Sequence, residues 1–201
     1  MKIIAGVDEV GRGPLAGPVT VCVVACEEKR YKKLKASKLL PVSGKDSKKI
    51  LEKDREKYER ILRMLSKNGE ISYFVMHVSN KMIDSKGISS CIKKAVSDCI
   101  RKLDLKAEIT EVLLDGSLRA PLRFQNQKTI IKGDEKEKII AWASILAKVS
   151  RDSLMRRSAR KYPQYGFEVH KGYGTLSHRK ALRQYGLSDF HRRSFCRNFV
   201  K

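Results

Sequence analysis

Short apolar runs of strand length alternate along this chain with longer stretches whose apolar residues recur at helical spacing. That alternation restricts it to a layered α/β domain. Lys2 to Val7 reads as a buried strand ending in Asp8, and the β-branched run from Val19 to Ala25 reads as a second. Ile71 to Val78, Val112 to Leu114 and Lys128 to Ile131 supply three more. Leu51 to Leu65 suits an amphipathic helix through Leu51, Tyr58, Ile61, Leu62 and Leu65. Ile88 to Leu103 does so through Ile88, Ile92, Val96, Cys99 and Leu103. A long helix is expected from about Glu137 to Lys161, and a last one from Ser177 to Tyr185. Lys29 to Lys49 is basic and weakly patterned, a loop with some helix. No repeat, low-complexity tract or linker interrupts the pattern. The 201 residues are expected to form one domain, with a core over about 1–162 and a C-terminal segment over about 163–201.

Charge narrows the class of partner. There are 44 Lys and Arg against 22 Asp and Glu, a net charge of +22. Such an excess attracts polyanions, whether nucleic acid, ribosome or anionic membrane, without choosing among them. The run from Val19 to Cys26 is too short to cross a bilayer core of ~30 Å, so no membrane association is expected. Acid arrives at Asp8, too early for a signal-peptide core, which predicts a cytoplasmic protein. The five cysteines lack CxxC spacing and are expected to be free, buried thiols.

The chemistry is carried by acids at strand ends: Asp8-Glu9, Asp115, and Asp134 just after a glycine. In α/β sheets functional groups gather where loops leave the strands. Carboxylates brought together there repel unless a cation sits between them, and hard oxygen ligands suit Mg²⁺ or Mn²⁺. Taken singly, each acid is better explained as the cap of a turn or helix, Asp134 above all, since it is expected just before a helix. Together they point to a metal. Neighbours on a strand face opposite sides, so Asp8 and Glu9 can share a metal if the strand ends there, as the glycine turn at Gly11 suggests. Asp152 lies too far along the long helix to join Asp134, roughly 22 Å away, and reads as a helix-surface partner of Lys148.

Other motifs fail on context. Gly11-Arg12-Gly13 precedes Pro14, Gly17, Pro18 and a strand, not the helix that a dinucleotide fingerprint needs. Gly44-Lys45 lacks the upstream glycine of a phosphate-binding loop. His77, His170, His178 and His191 show no zinc spacing and read mostly as surface or packing residues.

Six blocks in order resemble ribonuclease HII, the type 2 ribonuclease H family. They are Asp8 to Val19, Asp46-Ser47-Lys48-Lys49, Asp115-Gly116, Lys132-Gly133-Asp134, Ala143 to Asp152, and His170-Lys171-Gly172-Tyr173-Gly174-Thr175. The last block is similar to the bacterial form. Ile50 departs from the leucine usual after the Asp-Ser-Lys-Lys run. The resemblance implies a ribonuclease H-like fold, a central mixed sheet flanked by helices with a helical C-terminal segment. It implies an endoribonuclease that cuts the RNA strand of RNA–DNA hybrids and nicks 5′ of ribonucleotides embedded in duplex DNA, as in ribonucleotide excision repair. By two-metal hydrolysis this would leave 3′-hydroxyl and 5′-phosphate ends.

Carried over by residue, Asp8, Glu9, Asp115 and Asp134 are the catalytic and metal-holding acids. Gly11, Arg12, Gly13, Lys48, Lys148 and Tyr173 would contact substrate, with Tyr173 packing on the sugar at the RNA-to-DNA junction. Mg²⁺ or Mn²⁺ is the expected cofactor and a monomer the expected state. Two readings stay open beside it. A DNA resolvase or integrase of the same superfamily would also place acids on such a sheet. A non-catalytic basic nucleic-acid-binding protein would explain the charge but not the acids.

Overall fold

Mostly apolar sequence rich in β-branched residues makes two neighbouring antiparallel strands, β1 (Ile3–Val10) and β2 (Val19–Glu27). The structure, a computed structural model, describes residues 1–37, 39–40 and 50–199. Strands β3 (Ser72–Val78), β4 (Thr110–Asp115) and β5 (Gln127–Ile130) complete a five-stranded sheet ordered β3-β2-β1-β4-β5. β2 runs antiparallel to both β1 and β3, whereas β4 is parallel to both β1 and β5. The sheet is therefore mixed, as the resemblance implies.

Both faces of the sheet are covered, which is why β2 is buried at every residue but its last rather than alternating. On one face lie α1 (Glu28–Ala36), α2 (Glu52–Lys67) and the long α6 (Lys138–Lys161), around Val24, Leu62, Trp142 and Leu146. The other face is covered by α3 (Asn80–Lys86) and α4 (Ile88–Lys102), around Val7, Val23, Val96 and Phe124. Between β5 and α6 sits the one-turn α5 (Gly133–Lys136). α3 and α5, together with α7 (Phe167–His170), are too short to carry a periodic signal. The last helix, α8 (Leu176–Tyr185), starts one residue before its expected place and is capped by Thr175, whose side chain accepts from His178 N.

One contact fixes how α6 sits on the sheet. A Cβ at Gly6 would lie 2.4 Å from Ile139 O, so the start of α6 can press directly on β1 because residue 6 has no side chain. A third apolar cluster joins the C-terminal segment to the glycine turn, with Leu15 and Ala16 packed among Met155, Phe167, Leu182 and Cys196. All five cysteines are free and buried, as expected. Among the described residues no helix is long and apolar enough to cross a membrane.

Candidate active site

The acids gather where the sheet comes apart. The β1–β4 ladder stops at Val7 paired with Leu114, while β4 ends on Asp115, paired with Ile130. Asp8, Glu9, Asp115 and Asp134 line one cleft of about 400 Å³ at that edge. The strand does not end at Asp8, however. β1 stays paired to β2 through Val10, so Asp8 and Glu9 do project to opposite faces. They reach one cleft because the ladder to β4 has ended there, which opens the edge to both side chains.

Local turns aim the remaining acids. Lys132 adopts the left-handed conformation, φ 54° and ψ 49°, and swings the chain from β5 into α5. The Gly133 N–H then donates to Asp115 Oδ1 at 2.6 Å, and a Cβ there would meet Ile140 Cδ1 at 2.6 Å. Asp134 lies inside this one-turn helix, just before α6 as expected, and is 5% exposed. Asp8 is hydrogen-bonded to Ser144 of α6, and its Oδ1 also accepts the Glu9 N–H at 2.7 Å. Ser144 lines the cleft too, a positioning role the sequence did not single out.

Burial and like charges set the electrostatics. Burial pushes the Asp8 carboxyl well above the usual carboxylate range, and the charges of Asp115 and Glu9 push it further, against the Ser144 hydrogen bond. Burial likewise raises Glu9, with Asp115 adding and Arg12 opposing. Glu9 Oε1 meets Arg12 Nη1 at 3.2 Å, whereas its buried Oε2 has no hydrogen-bond partner. A desolvated, unpartnered carboxylate oxygen among acids that repel one another is the donor chemistry a hard divalent cation satisfies. Among the described residues no three His, Cys, Asp or Glu side chains form a ready-made metal cage.

Basic and backbone groups rim the acids. Gly11, Arg12, Gly13, Lys148 and Tyr173 line the same cleft, and Arg55 of α2 joins them. Nothing set Arg55 apart from the other basic residues of its helix. Gly13 has open space where a Cβ would be, so its backbone is approachable from outside. Gly11 is glycine for another reason: its φ is +88° and a Cβ would strike Arg151 Nε at 2.2 Å. Tyr173 is 42% exposed, with the Arg151 guanidinium 5.9 Å from its ring centre. Burial lowers the Lys148 ammonium, against the pull of Asp152 2.8 Å away. The Lys148–Asp152 pair is thus as expected, but Asp152 is buried and not on the helix surface. Lys48, with its Asp46-Ser47-Lys48-Lys49 block, and Gly44-Lys45 lie outside the described residues. A second cleft shares Arg12 and continues past Ser89, Lys93, Ser117 and Arg119.

Two arginines read as ordinary positive charge in the sequence, yet both are fully buried beneath the glycine turn. Arg151 donates to the carbonyls of Pro18 (2.9 Å), Ala16 (3.3 Å) and Lys171 (3.0 Å). Arg192 donates to Gly17 (2.9 Å), Arg12 (2.9 Å) and Gly11 (2.6 Å). The histidines divide into the two kinds expected: His170, His178 and His191 are packed in one buried cluster, and His77 lies at the surface.

Comparison with known proteins identifies the family and the fold. The sequence profile of the family described as Ribonuclease HII matches residues 5–198. The chain is 44% identical over 194 residues to a protein named Ribonuclease HII from Clostridium beijerinckii, covering 96% of this chain and 67% of that one. It is 43% identical over 201 residues to one from Caldicellulosiruptor bescii, covering 99% and 89%. Among solved structures, RNase HII in the PCNA:RNase HII complex from Archaeoglobus fulgidus superposes with a TM-score of 0.74 at 26% identity, covering 97% and 94%. Ribonuclease H2 from Pyrococcus horikoshii OT3 gives 0.73 at 27%, covering 98% and 96%.

Proposed function

Because the chain belongs to the ribonuclease HII family, with its ribonuclease H-like fold, and so is a metal-dependent endoribonuclease, we propose that it hydrolyses the RNA strand of RNA–DNA hybrids. It also nicks duplex DNA on the 5′ side of an embedded ribonucleotide, leaving 3′-hydroxyl and 5′-phosphate ends. The observation that carries this reading is the meeting of four acids, distant in sequence, in one cleft of a chain with net charge +22. Acids are the last groups expected at a phosphate-binding surface unless a cation bridges them to the phosphate.

In this reading Asp8, Glu9 and Asp115 hold the main divalent ion, and Asp134 helps hold a second ion or a water. Bound Mg²⁺ or Mn²⁺ supplies charge neutralisation at the attacking and leaving oxygens and an activated water. The protein's share is orientation. Ser144 fixes Asp8, the Gly133 N–H fixes Asp115, and Arg12 holds one oxygen of Glu9. Arg55, Lys148 and, on the family pattern, Lys48 face the phosphates. Along the neighbouring cleft, Lys93 and Arg119 extend the positive surface for a duplex backbone.

The 2′-hydroxyl is what separates RNA from DNA at one sugar, and it both donates and accepts. The backbone at Gly11 and Gly13 approaches it, while Tyr173 packs on the sugar across the junction. The C-terminal segment 163–201 supplies that second contact. The test is a DNA duplex carrying one ribonucleotide, incubated with and without Mn²⁺, with the ends mapped. A metal-dependent cut 5′ of the ribonucleotide is expected. Cleavage of an all-DNA duplex at the same rate would return the protein to the resolvase reading, and binding without turnover to the non-catalytic one.

A further inference from the structure

His191 and Arg192 are adjacent, fully or almost fully buried, and face the two halves of the rim separately. Arg192 reaches the glycine turn through its bonds to the carbonyls of Gly11, Arg12 and Gly17. A guanidinium presents its donors in a fixed fork, so three carbonyls bound to it cannot shift independently.

His191 faces the other half through a one-way chain of hydrogen bonds. The Ser188 N–H donates to His191 Nδ1 at 3.0 Å, which makes that nitrogen an acceptor and leaves the ring proton on Nε2. At the far end, His178 Nδ1 lies 2.9 Å from the Tyr173 carbonyl, which can only accept, so His178 carries its proton on Nδ1. The two rings meet Nε2 to Nε2 at 3.0 Å. Both ends therefore assign the same direction: His191 Nε2–H donates to His178 Nε2, and His178 Nδ1–H donates to Tyr173. Burial holds both rings at a pKa of about 4, so they are neutral and the chain keeps its direction at neutral pH. His170, stacked on His178 at 4.4 Å, does the same for its own turn, accepting from Gly172 N and reaching Tyr165 O through Nε2. The backbone closes the frame, with Arg192 N donating to Leu15 O and Leu15 N to Gly172 O, both at 2.8 Å.

We infer that His191 and Arg192 act as one positioning element, which sets the spacing between the glycine turn and Tyr173 and with it the preference for a ribonucleotide beside DNA. The inference rests on the proposed roles of that turn and of Tyr173 on the sugar. Neither His191 nor Arg192 touches substrate; each acts through the group it holds. Two adjacent sugars, each read by a different group, need those groups at a fixed separation, and a misplacement near 1 Å can cost about 100-fold in rate.

The experiment compares kcat/KM on a duplex with a single ribonucleotide against kcat/KM on a long all-RNA hybrid. The variants are Tyr173→Ala, Arg192→Lys, His191→Asn and His191→Gln. Glutamine can place an amide N–H where His191 Nε2–H stands and so restore the donor to His178. Asparagine mimics Nδ1 and leaves His178 without its donor. We expect Tyr173→Ala, Arg192→Lys and His191→Asn each to shift the ratio by about 10- to 100-fold through kcat, and His191→Gln to return it toward wild type.

Melting curves accompany each ratio, and the Asn/Gln pair decides the matter if Arg192→Lys does not fold. An unchanged ratio in Tyr173→Ala would remove the sugar-reading role itself. A shifted ratio in Tyr173→Ala, with His191→Asn and His191→Gln both at the wild-type value or both equally shifted, would overturn the positioning element alone.

Discussion

The two sides of the cleft are built on opposite principles. On the sheet side, Asp8, Glu9 and Asp115 crowd negative charge into a partly dehydrated space, and Glu9 Oε2 is buried without a hydrogen-bond partner. On the C-terminal side, six guanidinium–carbonyl bonds and a directed histidine chain satisfy buried polar groups that would otherwise be costly. Buried frustration on one side favours a cation, and complete satisfaction on the other makes a rigid frame. The difference teaches where ligand-dependent stability and where intrinsic stability should be found.

The largest expected break is on the acid side. On the proposed role of Asp8, Asp8→Asn should cost about 10³-fold or more in cleavage, since an acid that holds the metal would contribute several kcal/mol of charge stabilisation. The same change removes a buried charge from a repelling cluster, so the melting temperature in metal-free buffer should rise while hybrid binding is kept. Single-turnover cleavage and a thermal melt on one preparation check both, and a fall in both would show the side chain to be structural.

Arg192→Met should do the reverse. It leaves three buried carbonyls without their shared donor, at about 1 kcal/mol or more each, for a loss of about 3 kcal/mol, or roughly 6–12 °C in a chain of this size. Denaturant titration checks it; a loss below about 1 kcal/mol, the scale of one ordinary hydrogen bond, would mean the fork contributes little.

The smallest effect is a difference in pH dependence. His178 and His191 fall from the usual 6.5 to about 4 because burial disfavours their charged form. As pH drops from 6.5 toward 4 the unfolded chain takes up protons that the folded chain refuses, so stability is lost in that window and complete above it. Asp8 acts in the opposite sense. Its folded carboxyl holds a proton more readily than the usual 3.8 allows, so its contribution weakens as pH rises above that value. Melts from pH 4 to 7 should steepen in Asp8→Asn and flatten in His191→Phe. Parallel curves for the two variants would erase the contrast.

The sequence was informative wherever a residue's surroundings follow from its neighbours in the chain. Short strand-length runs marked all five strands, most of them apolar and β-branched, and Asp8, Asp115 and Asp134 stood out because each follows the end of such a run or a glycine turn. The limits are equally physical. Strand parity allowed Asp8 and Glu9 one cleft if the strand ended, but what ends is the ladder to β4, a pairing no local pattern encodes. Ser144 and Arg55 sit on helices whose spacing reports their faces and not what those faces meet. Arg151 and Arg192 could not be told from the rest of the 44 basic residues, because burial of a charge depends on carbonyls that the glycine turn and the segment at Lys171 bring from elsewhere.

The direct measurement is Mn²⁺ binding, followed by electron paramagnetic resonance, to the wild-type protein and to Asp8→Asn, Asp115→Asn and Asp152→Asn. The four-acid cleft predicts saturable binding that weakens at least tenfold in the first two variants, a change of about 1.4 kcal/mol, and stays at the wild-type level in Asp152→Asn. Equal affinity in wild type, Asp8→Asn and Asp115→Asn would contradict it.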